Sequence, residues 1–553
     1  MSADRVYGID LGTTYSCIAY VDEHGKPVVV PNAEGDATTP SVVFFESEGS
    51  IVVGKAAKDV ASIYADRCVS TIKRAMGDAS WVQTFNGTPY HPQEISSFIL
   101  RKLVSDAAAV TGDTIHDVVI TCPAYFGINE REATKQAGEI AGLNVLYVIP
   151  EPTAAALAYG IEQSQDQVIL VYDLGGGTFD VTLLEIRDGE ISVICTGGDH
   201  QLGGKDWDDE VLAYLAESFS EQTGIPADDI LEDAEAYQEL LSIAENAKRS
   251  LSSRQSAPQV VRFAGERAKV ELTRETFDRI TAQHLERTLS LTAQEIERAR
   301  SKGFDTIDRL LLVGGSTYMP QVSQAVEQRF GLTTQQFDPN QAVAKGAAYF
   351  GYKCYLDEQI KIHIASETGQ DAAEVDLETV DHEVAEKAQQ EVARDHGLTL
   401  AGVQEVARRK ITNVTSKSFG IVAMNGEDRE VVFNLVLADD KVPAEATQSF
   451  GTYADDQIQV DLRCIESRLR DQRQIELDQG SVIGTAILPF TRPLPRGSQV
   501  EITFRLGPDG LLHLTGRDLT TDQEVQARFE TDSVMSTEEV EASRSRNLAL
   551  QVS

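Results

Sequence analysis

The chain has 553 residues, with 49 Lys and Arg against 87 Asp and Glu, for a formal net charge of -38. That balance excludes a nucleic-acid binder held by phosphate contacts, which needs surplus cations, and basic tracts for a membrane surface are missing too. At 42% hydrophobic residues the chain can bury sizeable cores, and a prior of about 100 to 200 residues per domain points to three or four domains.

The first ten residues carry charge and lack an apolar run, so a signal peptide is not expected. Uncharged apolar runs stay well short of the roughly 18 residues a membrane helix needs. Six cysteines, Cys17, Cys68, Cys122, Cys195, Cys354 and Cys464, form no CxxC pair and have no nearby His partner. Reduced thiols in a cytoplasmic protein are the consistent reading.

Up to about residue 355, apolar runs of strand length at 28–30, 118–121, 168–172 and 310–313 alternate with helical patterns such as 95–109, 131–141 and 276–299. This predicts an α/β domain. From 371 to 410, Val375, Leu377, Val380, Val384, Ala388 and Val392 recur at helical spacing, and Thr399 is placed to cap a second helix through Arg409. Residues 367–395 hold ten acids and two bases, so most of this surface should face water. Beyond Lys417 the period becomes two. Ile458, Val460, Leu462 and Cys464 alternate with polar residues, as do Val500, Ile502, Phe504 and Leu506, with turn signals at 425–426, 455–456, 493–497 and 507–510. About eight short strands in roughly 115 residues predict an antiparallel β-sandwich. STEE at 536–539 then reads as a capping box opening a short helix.

One phrase occurs twice. DLGTT at 10–14 and DLGGGT at 173–178 each end an apolar strand, which suggests two similar halves facing each other across a cleft. Glycines let the backbone come close, amide and Thr hydroxyl groups donate to phosphate oxygens, and an Asp at a strand end can hold Mg²⁺ through its waters. The alternative is a pair of ordinary turns. GSIVVGK at 49–55 matches GxxxxGK, but Ala56 stands where a Ser or Thr would reach Mg²⁺ and Ile-Val-Val favours a strand, so it is rejected as a phosphate loop. HEVAE at 382–386 lacks the second His of HExxH and reads as a solvated helix face. LLLVGGSTYMP at 310–320 is a buried strand ending in glycines before a helix, fit for a base or ribose or simply for packing. Glu245, Lys248, Arg249 and Ser252 share one helix face; taken alone, such a stripe is an exposed ion-pair face.

Together these residues resemble the heat-shock protein 70 chaperone family, the DnaK-type proteins of the actin and sugar-kinase superfold. The resemblance runs through GIDLGTTYS at 8–16, TCPAYF at 121–126, EPTAAALAYG at 151–160, YDLGGGTFD at 172–180, LGG at 202–204 and VGGST at 313–317. It implies an actin-like ATPase domain over 1–355, an acidic helical insertion or linker over 356–410, a β-sandwich substrate-binding domain over 411–531 and a short lid remnant over 532–553. It further implies that Gly12, Thr13, Thr14, Tyr15, Gly175, Gly176, Gly177, Thr178, Asp180, Gly203 and Gly204 surround the phosphates of ATP or ADP. Asp10 and Asp173 are expected to orient hydrated Mg²⁺, with Glu151 in the same network, and Lys73 in STIKR at 70–74 matches the family's catalytic lysine. Glu245, Lys248, Arg249 and Ser252, with Gly314, Gly315, Ser316 and Tyr318, match the nucleoside side. Pro123 and Arg131 fall where the family has its interdomain switch proline and relay arginine.

The sandwich resembles the family more weakly, through FGIVAM at 419–424, QSF at 448–450 and YADDQ at 453–457. Ile421, Met424, Phe450, Val460 and Leu462 then fall at an apolar peptide pocket, with Met424 and Tyr453 at the arch over the peptide; by pattern alone they are sandwich core. The expected partners are unfolded or extended polypeptides, a J-domain co-chaperone and a nucleotide exchange factor. Four departures stand out: Tyr318 replaces an arginine that packs on adenine, Asn340 replaces an aspartate, Tyr147 sits where an arginine meets the J-domain, and RKITN at 409–413 replaces a leucine-rich linker. The leading expectation is an ATP-hydrolysing chaperone with fast peptide exchange. The alternatives are an ATP-controlled scaffold that docks a partner through the insertion, and a small-molecule kinase, disfavoured by the sandwich.

Overall fold

The computed structural model describes residues 5–160, 165–377, 379–507, 511–519, 523–526, 528–530 and 534–553. Residues 1–4 and the turn read at 508–510 therefore lie outside the described residues. Two sheets repeat one design. The first runs Asn144–Pro150, Asp117–Cys122, Tyr7–Asp10, Tyr15–Val21, Pro27–Val29, with Thr39–Pro40 pairing at the side. The second runs Thr334–Gln336, Arg309–Val313, Gln167–Leu174, Phe179–Arg187, Glu190–Asp199. In both, the leading three strands are mutually parallel and the next two pair antiparallel. The cause is shared: a buried apolar strand ends in Asp-Leu-Gly, the following strand returns beside it as a hairpin, and parallel neighbours arrive by helical crossovers.

Between the two sheets lies a core built on the helices Glu151–Gly160 and Ala342–Thr368. All ten residues of the former are buried. The helices pack closely because Gly346 has no side chain: a Cβ there would sit 1.7 Å from the Ala154 carbonyl oxygen. The pattern read at 276–299 resolves into two helices, Arg274–Ile280 and Ala282–Ser301. Thr281 between them is fully buried, and its hydroxyl donates to the Phe277 carbonyl (2.8 Å) while accepting from Gln321 (3.1 Å), a side-chain bond that competes with helix continuation.

The helix Ala342–Thr368 continues past residue 355 and stops at left-handed Gly369. Val375, Leu377 and Val380 are not helical, although their spacing suggests it. Asp371 and Asp381 each cap a backbone N–H two residues on, giving one short turn, Ala372–Glu374, and a helix that starts only at His382. The helices His382–Asp395 and Leu400–Arg408 follow, the second capped by Thr399. Their apolar residues Ala388, Val392, Val403 and Val406 join Leu356, Ile360 and Ile364 in the central core.

The strand Ile411–Val414 then lies between Glu190–Asp199 and Lys441–Val442, so the second sheet runs directly into the C-terminal β-region. That region holds a six-stranded sheet, including Ser418–Met424, Glu430–Val436, Gln457–Ser467 and Ser481–Leu494, and a four-stranded sheet, including Ala444–Gly451, Gln499–Leu506 and Leu512–Asp518. Val500, Ile502, Phe504 and Leu506 alternate into the core as their pattern predicts. Ile458 does not: a register shift between Gln457 and Gln459 leaves it 62% exposed, and inward alternation begins at Val460. The helix Thr537–Ala549 has the expected capping box at Ser536. It lies on the first half of the molecule, where Gln136 and Arg101 donate to the carbonyls of Met535 (2.7 Å) and Leu550 (2.9 Å), and Gln551–Val552 pairs with Ser50–Val53.

No described helix is long and apolar enough to cross a membrane, and the six cysteines are free.

Candidate functional site

The ends of two equivalent strands, Tyr7–Asp10 and Gln167–Leu174, bring the two Asp-Leu-Gly turns face to face. The approach leaves no room for side chains: a Cβ on Gly176 would lie 1.9 Å from the Thr14 hydroxyl oxygen. Beside the turns a cavity of about 380 Å³ is lined by Asp10, Gly12, Thr13, Thr14, Tyr15, Lys73, Glu151, Asp173, Gly175, Gly176 and Thr178, and by Glu245, Lys248, Arg249, Ser252, Gly314, Gly315, Ser316 and Tyr318.

Four residues grouped with these in the sequence stand behind the cavity wall. Gly177 and Gly203 pack backbone on backbone, since a Cβ on Gly203 would meet Gly177 at 2.6 Å. Gly204 donates its N–H to the Gly175 carbonyl (2.9 Å), which also accepts from the Ser316 hydroxyl (2.8 Å). Asp180 is 1% exposed and accepts the Tyr125 N–H at 3.3 Å. These residues hold the turn in shape while its other face stays open.

The acidic end is electrostatically unusual. Lys73, on the short turn Ile72–Ala75, is buried and ion-paired with Glu151 at the start of its helix. Burial raises the Asp10 carboxyl to about 7, helped by Glu151 and opposed by Lys73. Asp173 is raised well above the usual range and Asp180 to about 8, again by burial first and Glu151 next. For Lys73, burial works against the charge, but Glu151 and Asp10 outweigh it and raise the ammonium's pKa. Four carboxyl groups grouped around one ammonium favour entry of a further cation.

The opposite end is built on the helix Ala234–Leu251. Glu245 accepts from Lys58 at 2.6 Å and from the Tyr15 hydroxyl at 3.4 Å. Burial alone would raise the Glu245 carboxyl, yet Lys58 holds it below its ordinary value. Lys248 is turned inward, donating to the Gly204 carbonyl (2.7 Å) and Asp208 (2.8 Å), so it braces the glycine loop. Arg249 reaches the Tyr15 hydroxyl at 3.0 Å, and Tyr318 is 42% exposed at the mouth.

Sequence reasoning missed several participants. Lys58 crosses from the first half to Glu245 of the second, beside a neighbouring cleft of about 700 Å³ that shares Thr13, Thr14 and Tyr15 with the site. Arg74 donates to the Gly177 carbonyl (2.9 Å) and pairs with Asp206 (2.6 Å), bracing the glycine turn. Thr38, Lys205, Asp208, Pro339 and Val343 also line the cavity, together with Asn340. Lone charged residues far apart in the chain carry no local pattern that would mark them. The rejected GxxxxGK stretch is the strand Ser50–Val53 followed by the helix Lys55–Val60.

In the β-region, Ile421 and Leu462 are buried in the sandwich core, with Phe450 and Val460 packed against it. Phe450 meets Phe433 edge-on, ring centroids 5.8 Å apart. Met424 and Tyr453 are 37% and 54% exposed, and the Arg496 guanidinium lies over the Tyr453 ring. Four of the six residues thus share one cluster and two stand at its surface. Elsewhere, Tyr147 packs edge-on against Phe350, and Arg131 donates to the carbonyls of Phe126 (3.2 Å) and Ala124 (3.4 Å).

The Hsp70 protein family model matches residues 6–353 and 372–550. The match takes in both Asp-Leu-Gly turns, the helix stripe, the strand Ile411–Val414 and the sandwich, and it leaves out 354–371, the C-terminal part of the long helix and the three residues after it. On a match of that extent, the chain belongs to the Hsp70 family.

Proposed function

We propose that the cavity binds ATP and ADP with Mg²⁺ and hydrolyses ATP, and that the sandwich binds extended apolar segments of unfolded polypeptides, making the protein an ATP-dependent chaperone. Family membership supports a chaperone and ATPase role in general. The observation that carries the finer reading is the convergence of both Asp-Leu-Gly turns and the buried Lys73–Glu151 pair on one cavity. Thr13, Thr14, Gly175 and Thr178 hold the phosphates, and Lys73 balances charge at the terminal one and positions water. Hydrolysis then proceeds by placement and electrostatics without a covalent protein intermediate.

The residues fit a hydrated Mg²⁺. Asp10 and Asp173 are raised acids beside a single ammonium. Asp10 and Asp173, with Glu151 in the same network, would hold the ion through its waters. Bound there, the ion supplies charge neutralisation on the phosphate oxygens.

The test uses the full chain and its Lys73→Ala variant, following phosphate release and the dissociation of a labelled apolar peptide. We expect turnover to fall at least about 100-fold in the variant, and ATP to accelerate peptide release only in the parent. Equal phosphate release by both proteins removes the ATPase assignment. Absence of peptide binding in the parent removes the chaperone assignment.

A further inference from the structure

Lys73 sits on a turn of only four residues, Ile72–Ala75, so its place is decided by what that turn rests on. The turn is entered through Thr71, a β-branched residue held at φ 56°, in the left-handed region where such side chains are strained. Two elements support the turn, and the segment 534–553 lies against both. The first is a sheet in which Cys68–Ser70, the strand leading into the turn, pairs with Val42–Ser47, which pairs with Ser50–Val53, which in turn takes Gln551–Val552 on its edge. The Gln551 and Ser553 N–H groups donate to the carbonyls of Gly49 (2.9 Å) and Ile51 (3.0 Å), and the Val53 N–H donates to the Ser553 carbonyl (2.9 Å). Leu550 and Val552 pack against the core that holds Ile51, Val69, Ile72 and Met76. The second support is the helix Pro92–Thr111. Its Ser96 hydroxyl donates to the Met76 sulfur at 3.5 Å, and the Met76 N–H donates to the Lys73 carbonyl at 3.3 Å. One face of this helix is gripped by the helix Thr537–Ala549. Arg546 pairs with Glu94, which is 1% exposed, and lies over the Tyr90 ring. The fully buried Asn547 donates to the Ser97 hydroxyl at 3.1 Å, and Arg101 donates back to the carbonyls of Asn547 and Leu550. Beside them, Gln136 of the helix Ile128–Ile140 holds the Met535 carbonyl.

We propose that the segment 534–553 is a buttress for Lys73, with Arg546 and Asn547 as positioning residues for ATP hydrolysis. A single short turn has little rigidity of its own, and the ammonium it carries is drawn forward by Glu151. Its position therefore depends on the packing behind it. An unpaired sheet edge presents bare N–H and C=O groups to water; filling that edge with Gln551–Val552 stiffens Ser50–Val53 and, through Val42–Ser47, the strand that delivers the turn. On the helix side, Glu94 also accepts the His91 N–H at 2.9 Å and so closes the helix N-terminus. A buried carboxylate deprived of its cation is strongly unfavourable, so loss of Arg546 loosens the first turns of Pro92–Thr111, where Ser96 meets Met76. Apolar contact tolerates small sliding, whereas a hydrogen bond weakens steeply with distance and angle. The polar grip of Arg546 and Asn547 thus fixes the register of the helix against the turn, and with it the reach of Lys73 into the cavity.

This inference rests on the proposed ATPase reading, and the experiment separates the two. Arg546→Ala and Asn547→Ala are compared in the full chain with Arg544→Ala, which removes the same charge from an exposed position of the same helix. Each of the first two is expected to lower kcat for ATP hydrolysis by about tenfold, well under the roughly 100-fold that a misplacement of about 1 Å costs, with KM for ATP changed less than about twofold. Arg546→Lys should restore most of the rate, and Arg544→Ala should leave it unchanged. In a Lys73→Ala background, Arg546→Ala should slow single-turnover phosphate release no further, because the segment acts through the lysine. A lowered melting temperature with unchanged kcat overturns the proposal. So does an equal loss of rate in the Lys73→Ala background, since the segment then only stabilises the fold. If the parent does not hydrolyse ATP, the ATPase reading fails and the buttress is judged by hydrogen exchange without nucleotide. Arg546→Ala should then speed exchange at 94–101 and at the Arg74 and Met76 amides, which donate within the turn at 3.1 and 3.3 Å. Faster exchange confined to 534–553 overturns the buttress independently of catalysis.

Discussion

Asp10 and Asp180 are raised from the ordinary 3.8 to about 7 and about 8, because burial penalises the anion and Glu151 repels it. The folded, nucleotide-free protein therefore retains protons that the unfolded chain has released over the window from about 4 to about 8. Stability contributed by these groups is full below the unfolded value and is lost as pH rises through the folded ones. Thermal melts without nucleotide should accordingly fall by about 2–5 °C on going from about pH 5 to about pH 8, and Asp180→Asn should flatten the upper part of that decline. A melting temperature that climbs across this range contradicts the assignment. At the other end of the cavity, Tyr318 offers an exposed ring where the family has an arginine. Replacing it by alanine should weaken ATP and ADP binding by about three- to tenfold, as expected for one aromatic contact, while leaving kcat at saturating ATP unchanged; calorimetric titration and steady-state rates check the two halves of that expectation.

Among the elements, the strand Ile411–Val414 has an exceptional position, paired on one edge with Glu190–Asp199 and on the other with the sandwich. Ile411 packs against the central core opposite Ile191. Ile411→Asp sets a charge on that core, which is costly without a partner, so the strand should undock. We expect ATP then to accelerate peptide release less than about twofold, read in the assay used for the parent; retained acceleration would show that coupling bypasses this strand. The helices from 382 to 408 illustrate how far pattern reaches. Their apolar spacing and the Thr399 cap were legible in the residues, as was the water-facing charge. The Asp371 and Asp381 caps broke the period at 375–380 because short polar side chains offered the backbone nearer partners than another helical turn.

For the whole molecule, the sandwich is held to the second half by a network around Asp439. Its carboxylate takes Arg470 of the sandwich at 2.9 Å, Arg298 of the helix Ala282–Ser301 at 3.4 Å and Lys302, just past that helix's end, at 3.1 Å. Tyr125 of the first half faces Arg468 and Lys417, and Ile128 enters the sandwich core. Asp439→Ala leaves Glu295, paired with Arg298 at 2.9 Å and 3.9 Å from Arg470, as the one carboxylate among three cations, and should cost about 2 kcal/mol of docking free energy. Small-angle scattering should then report a larger radius of gyration than the parent shows, and an unchanged radius would mean that the network is dispensable.

Local chemistry was enough to reveal the repeated Asp-Leu-Gly turns and the alternation of strands in the sandwich, because each depends on neighbours within a few positions: a glycine where backbones touch, an acid at a strand end, a period of two; Lys73, Glu151 and the stripe Glu245, Lys248, Arg249 and Ser252 were placed at the cavity by the family resemblance, since alone they read as ordinary charged residues. Gly177, Asp180, Gly203 and Gly204 came from the same motifs but stand behind the wall, since a motif marks which residues are needed and not which side of the turn they occupy. The braces Lys58 and Arg74, the Thr153–Asn413 contact across 260 residues of chain and the seat of the helix Thr537–Ala549 on the first half left no trace in any local window. They arise from the crossing of separate elements, and single polar side chains acquire such partners only when the packed sheets and helices bring them within hydrogen-bonding distance.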